Sequence, residues 1–204
     1  MVARPEGVER ARAREIRGVS VEDTRGVVSW WAASTLLVGE RARVVGPVSA
    51  VEGVVYAPPV LHPGRAGSLV VVKVQPPGLR GVGVVSMPAG RAAGFDVGTP
   101  AGGGLASAWE RLAGMPGPLA DRLVRRMRAW AVVTQLRPGE VVSWTTEAGQ
   151  VVGVVAEVPV LSQRGGVPAV HVAVMPDRTR DPRVLSVVAM EADRVLVARM
   201  GAGR

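Results

Sequence analysis

The sequence predicts a mainly β fold with accessory helices: a tandem duplication of a small five-stranded barrel, each copy preceded by an α-helix. Three observations predict it. The stretch AVEGVVYAPPVL, Ala50 to Leu61, returns one hundred residues later as QVVGVVAEVPVL, Gln150 to Leu161. The same offset holds without a gap from Arg25 to Val97, with 22 identities in 73 positions. Within each copy, short valine-rich runs alternate with period two and are separated by Pro and Gly.

A valine-rich chain matches some valines by chance. Chance does not also align Trp30 with Trp130, Gly39-Glu40 with Gly139-Glu140 and Pro59-Val60-Leu61 with Pro159-Val160-Leu161 in one register. A unit of about 100 residues is an ordinary domain size. Two copies are too few for a solenoid, so each is expected to close on itself. The expected divisions are an exposed N-terminal segment over 1–20 and a helix with the first barrel over 21–98. A linker and connecting helix follow over 99–135, then the second barrel over 136–199 and a disordered tail over 200–204.

Taken in order, residues 1–18 are rich in Arg and Glu with little apolar content, which suits an exposed helix. Ser20 opens a capping-box-like start, and Val21, Val28, Trp31 and Thr35 share a helical face, predicting a helix over about Val21–Leu36. Strands are predicted at Arg41–Val45, Ala50–Tyr56, Ser68–Gln75, Gly81–Met87 and Arg91–Val97. Val70, Val72 and Val74 alternate strictly, which turns Val71, Lys73 and Gln75 to the other face. Gly53 and Gly153 stand inside strands, where glycine permits a bend, a bulge or a close approach. Residues 98–117 read as a loop carrying one short helix, Leu105–Leu112. Pro118 suits a first helical position, and Leu119, Leu123, Met127, Trp130 and Thr134 share one face of the helix that follows. The second copy's strands are predicted at Glu140–Trp144, Gln150–Val158, Ala169–Met175, Arg183–Met190 and Arg194–Ala198.

Five short strands with a kinked second one suit a small closed barrel, SH3-like or OB-like. Short connections, with no long helix between the third and fourth strands, favour the SH3-like form. The run Pro138-Gly139-Glu140-Val141 followed by Gly153-Val154-Val155 resembles the general look of SH3-like, KOW-type modules. No function is carried over from that resemblance.

Composition narrows the function classes. Forty-eight per cent of the 204 residues are hydrophobic and none is cysteine, which excludes disulfides and thiolate chemistry. No apolar run is long enough for a membrane span or a signal peptide, so a cytoplasmic location is expected. Of 25 basic residues only Lys73 is a lysine, the profile a very GC-rich bacterial genome imposes. The net charge of +8 is unevenly placed. Residues 36–97 carry six basic and three acidic groups, and 98–135 carry five and two, whereas 136–197 carry six and seven.

The chain is short of catalytic groups. His62 and His171 have no carboxylate at ligand spacing, which makes them surface residues rather than metal ligands or bases. Gly102-Gly103-Gly104 is not followed by Lys-Ser/Thr, and Gly81-Val82-Gly83 leads into a strand, so neither is a phosphate loop. The expectation is therefore no enzyme, no cofactor and no metal. Aromatics are too few for a methyl-lysine cage or a base-stacking platform. Trp30 and Trp130 are expected to anchor each helix on its barrel.

Contact with the backbone of DNA or RNA asks only for clustered Arg and Lys. The candidates are Arg41, Arg43, Arg65, Lys73, Arg80 and Arg91 in the first copy, with Arg122, Arg125 and Arg128 on the connecting helix. The competing expectation is a protein–protein adaptor that uses strand edges and the loops Gln163–Gly166 and Asp177–Arg183. The sequence leaves monomer and homodimer both open.

Overall fold

The computed structural model describes residues 21–64, 67–147, 149–176 and 181–200. The expected helix over the first residues, Ser20 as its successor's cap, Arg65 and the tail beyond Met200 lie outside them, as does most of the loop from Asp177.

Helix α1 covers Val21–Ser34 and is followed by six strands: β1 Arg41–Val45, β2 Ala50–Gly64, β3 Gly67–Gln75, β4 Gly83–Pro88, β5 Asp96–Ala101 and β6 Gly104–Ser107. They form one antiparallel sheet in the order β4-β3-β2-β1-β5-β6. Helix α2, Ala108–Ala113, and helix α3, Gly117–Thr134, lead to the second set. This comprises β7 Val141–Thr146, β8 Gly149–Val155, β9 Val160–Arg164, β10 Val167–Pro176, β11 Arg183–Val188 and β12 Leu196–Met200. Its order is β11-β10-β8-β7-β12, with β9 also paired to β10.

The closed barrel expected from the sequence is not what forms. The first sheet is open and the second curls only to half a barrel, because the end strands of neither sheet pair with each other. The kink in the second strand is real. Register shifts between Val55 and Ala57 and between Ala57 and Val60 bend β2 along β3. In the second copy the same place breaks the strand into β8 and β9. The bend is not followed by closure because a helix covers the inward face. Val28, Trp30 and Ala33 of α1, with Leu36 just beyond it, share one buried cluster with Val44, Val55, Val70, Val72 and Val74 of the sheet. The space that a closing strand would need is filled by helix.

Several identities across the repeat have a structural reason. Gly39 and Gly139 hold φ of 84° and 87°, a left-handed turn that favours glycine. Beside them the Oε2 atoms of Glu40 and Glu140 accept from the backbone N–H of Leu37 and Arg137. Gly53 and Gly153 mark close backbone approaches rather than the bend itself. A Cβ added at Gly53 would stand 2.0 Å from the carbonyl oxygen of Gln75, and one at Gly153 2.2 Å from that of Met175.

Several predicted boundaries move. Arg91–Val97 is not a strand. A 3-10 turn, Ala89–Gly94, precedes β5, and an equivalent turn, Ala189–Arg194, precedes β12. Residues 105–107 belong to β6 rather than to a helix, and α2 begins behind a Ser107–Glu110 capping box. The loop expected at Gln163–Gly166 is the end of β9 and a tight turn in which Gly165 and Gly166 both have positive φ. Leu119, assigned to the apolar face of α3, is exposed, and Val124 and Val133 are buried instead.

The two copies meet through α1 and α3, and Trp30 and Trp130 are both fully buried there. They do more than anchor their own sheets. The Trp30 indole N–H donates to Thr134 Oγ1 at 2.8 Å, and the Trp130 indole N–H donates to Ser34 Oγ at 2.8 Å. Each hydroxyl in turn donates to the carbonyl of the tryptophan four residues before it. Positions 30 and 34 correspond to 130 and 134, so the bonds exchange across the repeat as they would across a symmetric dimer.

Candidate binding surfaces

On β1, Ala42 and Val44 are fully buried, so Arg41 and Arg43 face outward. On β3, Val70, Val72 and Val74 point inward and leave Lys73 outward. The first sheet therefore carries Arg41, Arg43 and Lys73 on its helix-free face, together with exposed Val54, Tyr56, Val60 and Val84. Arg41 is paired with Glu52 at 2.5 Å. The Nε of Arg43 is buried and has no hydrogen-bond partner among the described residues.

The other sequence candidates are placed elsewhere. Arg80 is exposed in the turn after β3, where the Gln75 side-chain amide donates to the carbonyls of Leu79 and Gly81. Arg91 is exposed on the first 3-10 turn, which lies against α1 on the helix side of the sheet. Arg122 and Arg125 are exposed on α3, and Arg128 is half-buried with an Nη2 that has no hydrogen-bond partner among the described residues. Helix α3 contacts α1 and elements of the second copy, so its arginines and the outward face of the first sheet lie in different layers. The fold does not bring the eight described candidates into one patch.

Arg126, not a sequence candidate, bonds Asp193 at 3.0 Å and ties α3 to the second 3-10 turn. Burial pushes the Asp193 carboxyl up, but the hydrogen bond and positive charge of Arg126 outweigh it, aided by its own backbone and Arg122. The net result lies below the ordinary carboxylate value.

His62 is exposed, as expected, and lies within β2. His171 is not a free surface group. Its Nε2 is 2.8 Å from Ser162 Oγ and its Nδ1 is 2.7 Å from Ser186 Oγ, a line across β9, β10 and β11. Both ring nitrogens are satisfied by hydroxyls, with no carboxylate to fix the tautomer, so the line fastens three strands together. Among the described residues no group of three or more His, Asp or Glu is placed to hold a metal. No helix among them is long and apolar enough to cross a membrane.

Sequence reasoning missed a cavity of about 390 Å³ between the copies, bordered by α1, α2, α3 and the second 3-10 turn. Its lining is mostly apolar, with Trp31, Leu112 and Met127 among the contributors. The lining residues are scattered over six elements and their connections, so no local pattern marks them. No family model, curated protein or solved structure matches the chain.

Proposed function

We propose that this chain is a non-catalytic binding protein that contacts nucleic-acid backbone through the outward face of its first sheet, without strong sequence preference. The observation that carries the reading is the placement of Arg41 and Arg43 on β1 and Lys73 on β3, flanking β2 on one open face. Phosphate oxygens supply acceptors at that face and carry no base information. The arginines of α3 form a second, separate contact region in this reading, with Arg128 as the member whose Nη2 has no hydrogen-bond partner among the described residues.

Fluorescence anisotropy with labelled duplex DNA and RNA across a salt series tests it. Three phosphate contacts give a slope of log K against log salt of roughly −2.7 on duplex DNA. Arg43→Glu with Lys73→Glu lowers the magnitude of that slope by about 2. Absence of binding at low salt ends the proposal. The alternative is a protein–protein adaptor. It is favoured by outward valines that both sheets keep, since Val54, Val60 and Val84 recur as Val154, Val160 and Val184. Exposed positions in diverged copies have no packing reason to stay identical.

A further inference from the structure

We infer that the cavity between the two copies is a binding site for a small amphipathic carboxylate, an alkyl or aryl chain ending in a carboxylate group. This site is separate from the sheet face described above. Its volume of about 390 Å³ falls within the range of small-ligand pockets. Trp31 of α1, Leu112 of α2, Leu123 and Met127 of α3, and Met115 and Met190 present apolar surface to it. Three thioethers in one wall allow it to adapt to chains of different shape.

Two charged residues border the cavity, Glu40 and Arg111. Glu40 is turned into its own backbone turn, where its carboxylate accepts from the N–H of Leu37 at 3.1 Å. The Arg111 side chain makes no hydrogen bond or ion pair among the described residues. It is therefore the free charge beside an apolar hole, and its planar fork matches a carboxylate with two parallel bonds. An ammonium on the same chain would meet like charge.

The repeat supplies an independent comparison. A cavity of about 370 Å³ lies at the equivalent place on the other side of the α1–α3 pair. There Asp23, Val27 and Gly90 stand at the positions of Leu123, Met127 and Met190. The fold tolerates a carboxylate and smaller side chains in that place, so the leucine and two methionines of this wall are not a requirement of packing. Arg111, Leu112 and Met115 come from the segment between the copies and, among the described residues, have no counterpart at the other cavity.

Isothermal titration with octanoate, octylamine and octanol, each below its aggregation limit, tests the proposal. Octanoate is expected to bind saturably at one site, octanol more weakly and octylamine not measurably. Arg111→Ala is expected to weaken octanoate about tenfold or more while leaving octanol unchanged, and Arg111→Lys to restore part of the loss. Leu112→Trp fills the cavity and is expected to abolish both. Met190→Trp does the same from the exposed rim if the first variant does not fold, with thermal unfolding reporting which variants are native. Failure of octanoate to bind the folded protein at millimolar concentration overturns the proposal. So does equal binding of octylamine, or unchanged octanoate binding in a folded variant with the cavity filled.

Discussion

Replacing Thr134 by Val removes one hydroxyl from the centre of the molecule and keeps the side-chain shape. Thr134 is fully buried, and its Oγ1 is the acceptor 2.8 Å from the Trp30 indole N–H. Water has no access to replace it, so the indole N–H is left unsatisfied at a cost of about 1–3 kcal/mol. For a chain of this size that lowers Tm by about 2–12 °C. Ser34→Ala strands the Trp130 indole N–H in the same way and is expected to cost a similar amount. Each bond joins one copy to the other, so both changes should shift a single transition seen by tryptophan fluorescence and by far-ultraviolet circular dichroism. A double-mutant cycle isolates the bond. In a Trp30→Phe background no indole N–H remains to be stranded, and Thr134→Val should then cost little, giving a coupling of about 1 kcal/mol or more. A cost below about 0.5 kcal/mol, or the same cost in both backgrounds, would refute the reasoning.

Gly153→Ala forces a Cβ to within 2.2 Å of a strand carbonyl, so β10 must shift; thermal melts should show a loss of about 1–3 kcal/mol or more. Gly39→Ala meets open space but a φ of 84°, and chemical denaturation should register a smaller loss of about 1 kcal/mol. Asp193→Asn should cost about 1 kcal/mol, since the Arg126 pair is only partly exposed. The Asp193 pKa is lowered on folding, so its contribution is fully present above the unfolded value and lost as pH falls through the folded one. Acid titrations of wild type and variant should therefore converge below pH 3.8, the value from which the group is depressed.

Much of the secondary structure was legible. Alternating valines placed β3 and β10 to within a few residues, and proline and glycine placed most of the turns. Two local signals were present and passed over. Gly165-Gly166 between apolar runs marks a tight hairpin, and Ser107 with Glu110 marks a helix start. The face of α3 was misassigned at Leu119 because one helix turn extends beyond the elements it packs on, and periodicity does not say where a neighbour ends. The basic residues were legible as a list but not as a surface. Strand alternation puts Lys73 with Arg41 and Arg43, whereas nothing local states that α3 docks in another layer.

By itself the sequence determined that a unit was duplicated, that its valines form the interior, and that glycine is needed where φ is positive or backbones nearly touch. Those are properties of neighbours along the chain and of matched positions one hundred residues apart. Only the tertiary structure decided that the sheets stay open, that Trp30 and Trp130 exchange partners across the copies, and that an apolar cavity borders Arg111. These depend on helices covering sheet faces and on side chains from distant elements meeting, and such meetings leave no period in the sequence.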